Sequence, residues 1–133
     1  MTLLVDYRER RLAGLLDVPH HVRNLSVGDL FCDYGSGNQW LAERKTASDL
    51  AQSITSGRWQ DQVHRLRDTG CRVIFIVEGD LRTTALNFDS LMGACVNAEL
   101  RKESCVIRTM AVAIHAWSLP LLPGLIVKGP TPV

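Results

Sequence analysis

The sequence contains no apolar run approaching the ~20 residues that a membrane-spanning helix needs, so nothing in it directs the chain into a bilayer. There is no CxxC pair, and no cysteine or histidine stands at metal-ligand spacing. Net charge is nearly absent: 15 Lys+Arg against 14 Asp+Glu leaves a formal +1, which by itself says nothing for a nucleic-acid partner. Lysine is scarce, with three against twelve Arg. Arginine suits bidentate phosphate contacts, and genomic codon bias explains the same preference. Internal repeats and low-complexity segments are missing. The opening MTLLVDYRER is too short and too acidic for a signal peptide.

What is present describes an ordinary soluble domain. With 133 residues, 46% apolar and 22% charged, the chain supports a single core that buries roughly two-thirds of its unfolded surface. Cys32, Cys71, Cys95 and Cys105 read as reduced, mostly buried thiols of an intracellular protein.

Patterning predicts strands at Leu3 to Val5, His21 to Leu25 (weaker), Asp29 to Tyr34, Gln39 to Arg44, Arg72 to Val77 and Cys105 to Arg108. Helices are predicted over Arg8 to Leu16, with Leu12, Leu15 and Leu16 inward, over Ser48 to Asp68 with a break near Gly57, over 88 to 100 and over 109 to 119. RVIFIV, nearly all β-branched or aromatic, fits a central strand covered on both faces. Pro120, Pro123 and the closing GPTPV cannot continue a helix, so residues 120–133 are expected to form an extended tail on a domain of residues 1–119. Alternating strands and helices around one hairpin define an α/β domain with a mixed sheet.

The hairpin carries the chemistry. Along a strand, Glu43 and Lys45 point to one face and Arg44 to the other. A two- or four-residue loop would put Asp29 and Glu43 on opposite faces. A three-residue loop, Gly35-Ser36-Gly37, sets Asp29 opposite Glu43, Phe31 opposite Leu41 and Cys32 near Trp40, and this register is the one predicted. Two adjacent carboxylates repel unless one holds a proton or a cation lies between them. A hard divalent ion such as Mg²⁺ takes oxygen ligands and keeps waters, so two or three acids suffice. Lys45 cannot be a ligand, but it can orient or help deprotonate water or stabilise charge on a phosphate. A further acidic pair, Asp6 and Glu9, lies where the first strand ends. It fits a site at the converging strand ends, and equally a D-x-x-E helix cap. TASD, Thr46 to Asp49, is likewise a capping box as written.

Gly28-Asp29 followed by ERKTASD at Glu43 to Asp49 reads as GD…ERKxxxD, and so resembles the XPF-type structure-specific endonucleases, relatives of the restriction-enzyme-like nucleases with their D…ExK site. The resemblance continues in VDYRE, DLAQSITSGRWQDQ, VIFIVEG and VIRT, covers about residues 3 to 115, and is strongest toward the MUS-type crossover-junction branch. It implies a restriction-endonuclease-like mixed central sheet flanked by helices. It implies Mg²⁺, with Mn²⁺ as substitute, held by Asp29, Glu43 and Glu9, the Arg44 carbonyl contributing, with Asp6, Arg44, Lys45 and Asp49 completing the site. It implies cleavage of DNA near 3′ flaps, forks or junctions in repair or recombination, with branched or flapped DNA as partner. It also implies a homodimer or heterodimer formed through the nuclease domain, nuclear if eukaryotic. Family members commonly carry tandem helix-hairpin-helix modules after this domain, and the sequence ends too soon to hold them. Two other readings stay open: a non-catalytic DNA-binding and dimerisation subunit, which would predict erosion of the signature acids, and a restriction-like nuclease of other specificity.

After the site, Arg58, Gln62 and Arg65 form a polar helical stripe beside an apolar one of Trp59, Val63 and Leu66. The family block favours DNA-backbone contact for Arg58 and Gln62. For Arg65, DNA contact and a solvated face are both open. Met110, Ala113, Ile114 and Trp117 suggest a dimer stripe. Glu78 and Asp80 read as turn residues, with Glu78 an alternative support for the site. His20, His21, His64 and His115 receive no role.

Overall fold

A computed structural model describes residues 2–16, 18–101 and 104–109. The elements run β1 (Thr2–Asp6), α1 (Arg10–Leu15), β2 (His21–Arg23), β3 (Leu30–Asp33), β4 (Gln39–Thr46), α2 (Ala47–Thr55), α3 (Trp59–Arg67), β5 (Arg72–Glu78), a 3-10 turn (Leu81–Thr83), α4 (Phe88–Leu100) and β6 (Cys105–Thr109). Thr109, the first residue of the helix expected over 109 to 119, instead ends β6; the rest of that helix, its dimer stripe and the tail lie outside the described residues.

The six strands form one mixed sheet in the order β2-β1-β3-β4-β5-β6. β1 and β2 are parallel, β1, β3 and β4 are successively antiparallel, and β4, β5 and β6 are parallel. This is the predicted mixed α/β architecture. The long βα crossovers make the parallel half; the tight hairpin makes the antiparallel half.

Side-chain alternation sorts the core onto the two sheet faces. Leu41, Val73, Phe75 and Val77 meet α2, α3 and α4 on one face, with Trp59 stacked obliquely on Phe75 at 4.9 Å between ring centroids. Leu3, Val5, Leu30, Ala42, Ile74 and Ile76 meet Leu12 of α1 on the other. β5 is buried on both faces, as its composition requires. Leu15 is exposed, contrary to expectation: α1 is only six residues long, ends in extended backbone at Leu16, and offers the core little beyond Leu12.

The hairpin has the odd-length loop. Tyr34 N–H donates to Asn38 O at 3.0 Å, enclosing Gly35, Ser36 and Gly37, all three with positive φ. Phe31 then faces Leu41 and Cys32 faces Trp40. The long predicted helix is two helices, because Gly57 takes φ 78° between α2 and α3. That break lets α3 return across the sheet face that carries the acids.

Candidate active site

The site begins with register. Continuing the ladders puts Asp6, Asp29 and Glu43 at one level across β1, β3 and β4, a line supported by Asp6 N–H to Asp29 O at 2.8 Å and Asp29 N–H to Ala42 O at 2.8 Å. Gly28 makes the approach possible. Its φ is +80°, and a Cβ there would lie 2.6 Å from Leu41 Cδ1, so the chain turns into Asp29 only without a side chain.

Asp29 and Glu43 hydrogen-bond one another, and Asp29 Oδ2 also accepts the Arg44 N–H at 2.7 Å. Burial pushes Glu43 up to about 8, with the charge of Asp29 and the shared hydrogen bond adding to it and Lys45 and Arg8 opposing. Burial also raises Asp29, against the Arg44 amide and the bond from Glu43. Burial and mutual charge thus make the pair hold a proton more tightly than free carboxylates do, as expected of close carboxyls without a cation between them.

Lys45 shares the Glu43 face. It is buried, and its Nζ donates to Ser53 Oγ of α2 at 2.9 Å. Arg44 points to the opposite face, where Nη1 donates to Glu9 Oε2 at 2.8 Å and Nε pairs with Glu78. Burial raises the Glu9 pKa, with Asp29 adding to the rise and Arg44 opposing it. The structure thus brings Asp29 and Glu43 together and holds Glu9 on Arg44. Among the described residues, no group of three or more His, Cys, Asp or Glu is arranged to hold a metal ion.

Asp6 is buried beside Asp29, at the end of β1. Its Oδ2 accepts Arg8 Nε at 2.6 Å and the Arg8 amide at 3.1 Å, and its Oδ1 accepts the Leu25 amide at 2.8 Å. Burial alone would raise its pKa, but the bonds from Arg8 and Leu25 prevail and the net effect lowers it. Asp49 is exposed, and its amide donates to Thr46 Oγ1 at 3.0 Å, so the TASD stretch caps α2.

A cleft of about 190 Å³ opens over the acid pair. One wall is Arg8 with the Ser26–Asp29 loop; the other is Gln62, Arg65 and Leu66 of α3. Gln62 Oε1 is buried there with no hydrogen-bond partner among the described residues. Arg58 is exposed outside this cleft, its Nε bonded to Ser56 Oγ at 2.9 Å. Sequence reasoning missed Arg8 at the cleft and Ser53 as the partner of Lys45. Arg8 lies inside the VDYRE block; for Ser53 the only signal was its place within DLAQSITSGRWQDQ.

A mixed sheet with a carboxylate pair and a lysine on one face, reached through a GD turn and an ERK strand, is the arrangement of a nuclease-type α/β domain. The profile of the ERCC4 domain matches residues 5–115, and the chain belongs to that family. It is 32% identical to structure-specific endonuclease subunit MUS81 of Rattus norvegicus over 90% of its own length, and 33% identical to crossover junction endonuclease MUS81 of Oryza sativa over 72%. Among solved structures it is similar to XPF from Aeropyrum pernix in complex with DNA, at a TM-score of 0.80 and 30% identity, covering 96% of this chain. The chain spans 26% of the rat protein, 16% of the rice protein and 65% of the Aeropyrum chain.

Proposed function

We propose that this domain is the catalytic part of a metal-dependent, structure-specific DNA endonuclease that hydrolyses phosphodiester bonds near flaps, forks or junctions. The observation that carries the reading is the proton-sharing Asp29–Glu43 pair beside Lys45 in a cleft walled by Arg8 and Arg65.

The residues fit a hard divalent cation. Both acids offer oxygen, their mutual repulsion is relieved by a cation in place of the shared proton, and the buried Gln62 Oε1 adds an acceptor in the same cleft. Asp29 and Glu43 would hold Mg²⁺ or Mn²⁺, and Glu9 would join them on release from Arg44. When bound, the ion supplies Lewis acidity toward water and the phosphoryl oxygens.

The chain's own residues do the rest. Lys45, fixed by Ser53, places a cation beside Glu43 where it orients the attacking water and offsets charge building on the phosphate. Arg44 holds Glu9 and Glu78 and so fixes the strand end bearing the site. Arg65 and Gln62 receive the DNA backbone from α3, with Arg58 contacting it farther along. Water bonds to phosphorus as the bond to the leaving deoxyribose oxygen breaks, the attacking water giving up a proton to solvent and the leaving oxygen taking one from solvent, without a covalent enzyme intermediate. Pairing with a second, related nuclease domain completes the proposal.

Cleavage of a labelled 3′-flap duplex in Mn²⁺, beside a linear duplex and Asp29→Asn, tests this. Flap-selective nicking by the wild-type chain, lost in Asp29→Asn, is expected. Equal nicking by Asp29→Asn would overturn the assignment of the site.

A further inference from the structure

Arg8 is the cation at the cleft whose position is fixed from two directions. Its amide and its Nε both donate to the same Asp6 oxygen, at 3.1 and 2.6 Å. Asp6 is itself immobile: its side chain is 0% exposed, its other oxygen holds the Leu25 amide, and its own amide is in the ladder to Asp29. Arg8, by contrast, is 61% exposed and lines the cleft over Asp29 and Glu43, close enough for its charge to oppose the rise in both their pKa values.

The other cations nearby differ. Arg44 is occupied by Glu9 and Glu78, and Lys45 is buried on Ser53. Arg65 stands on the far wall and makes no ion pair among the described residues. The tie to Arg8 runs through Nε, so its two terminal nitrogens are left for a ligand, and a guanidinium held by one edge presents a planar donor fork suited to a phosphate. An ion pair with one partner this exposed contributes little to stability, so its consequence is orientation.

We propose that Arg8 grips a non-bridging oxygen of the phosphodiester to be cut, and that Asp6 is its positioning residue. The assignment rests on the nuclease reading above. Asp6 then serves the site without touching metal or substrate, and the phosphate sits between Arg8 on one wall and Arg65 on the other, above the acid pair.

The test uses the 133-residue chain. A fluorescent 3′-flap duplex is bound in Ca²⁺, with either a natural phosphate or an uncharged methylphosphonate at the position where the wild-type chain cuts in Mn²⁺. The methylphosphonate is expected to weaken wild-type binding about tenfold and to weaken Arg8→Ala binding by clearly less, because the Arg8 contact is already gone and only the interactions with Arg65 and the cation remain to be lost. Cleavage by Arg8→Ala should fall about a hundredfold in kcat, with KM rising by up to about tenfold as the same contact is lost from the bound state, and added guanidinium should restore part of the rate. Asp6→Asn, with the fold intact by circular dichroism, should lose part of this rate, and combining it with Arg8→Ala should cost nothing more.

An equal methylphosphonate penalty in wild type and Arg8→Ala, with wild-type cleavage intact, overturns the Arg8 assignment and leaves the nuclease reading standing. Additive losses for Asp6→Asn and Arg8→Ala overturn the positioning role. A wild-type chain that neither binds nor cuts the flap sinks the nuclease reading and the Arg8 assignment with it.

Discussion

Glu43 holds a proton at a pH where an exposed glutamate would have lost it. Its pKa is pushed up to about 8 by burial, with the neighbouring Asp29 charge adding to the rise. The folded protein therefore binds this proton more tightly than the unfolded chain does, and metal-free stability falls as pH rises from about 4.5 toward 8. Glu43→Gln removes that dependence. In EDTA at pH 7.5 it should raise stability by about 1 kcal/mol or more, since holding a proton one pH unit beyond its ordinary range corresponds to about 1.4 kcal/mol. Denaturant melts at pH 5 and 7.5 check this, and an equal gain at both would disprove the proton-sharing pair. Gly28 gives the converse case. Gly28→Ala should cost about 2 kcal/mol, combining positive-φ strain with displacement of Leu41, in the same melts. At this scale much was legible. Loop parity placed Asp29 opposite Glu43, because side chains alternate with a period of two and the two flanking glycines accept positive φ. The tie between Arg44 and Glu9 was not, since it joins residues 35 apart through a contact that no local pattern encodes.

At the scale of elements, α2 acts as a bracket. Thr46 caps its first turn, and Ser53, two turns later, reaches back to Lys45 at the strand end. The strand that enters the core with a charged residue thus has a polar partner waiting on the next helix. Burying an amine on one hydroxyl is costly to the fold and useful to the site. Lys45→Met should therefore leave stability unchanged or raise it by up to about 1 kcal/mol, while flap cleavage drops about a hundredfold or more. Thermal melts and the flap assay together check this; a large loss of stability would mean that Lys45 is chiefly structural. The capping box and the break at Gly57 were readable because both are local backbone chemistry. The shortness of α1 was not: Leu12 and, half-buried, Leu16 meet the cluster under β1 as their spacing implies, but the helix stops at Leu15, which is left exposed.

The whole molecule has a formal charge of only +1, so no broad positive field draws DNA to it. What it has instead is local: Arg8 and Arg65 at the cleft, with Arg58 on the approach to α3. If these three supply the phosphate contacts, the log of the binding constant should fall with the log of salt concentration at a slope of about −3, using roughly −0.9 per neutralised phosphate. Anisotropy titrations from about 50 to about 300 mM salt with catalytically silent Ca²⁺ would measure it. Each Arg→Ala change should reduce the slope by about one, and the reduction for Arg58 should be insensitive to where the flap branches, because Arg58 lies outside the cleft. A slope far steeper than about −3 would place most of the DNA-binding surface elsewhere on the chain. On the proposed function, discrimination between branched and linear DNA then rests on the shape of the cleft over the acid pair, since the charge of three arginines on a uniform backbone carries no information about where a strand departs from the duplex.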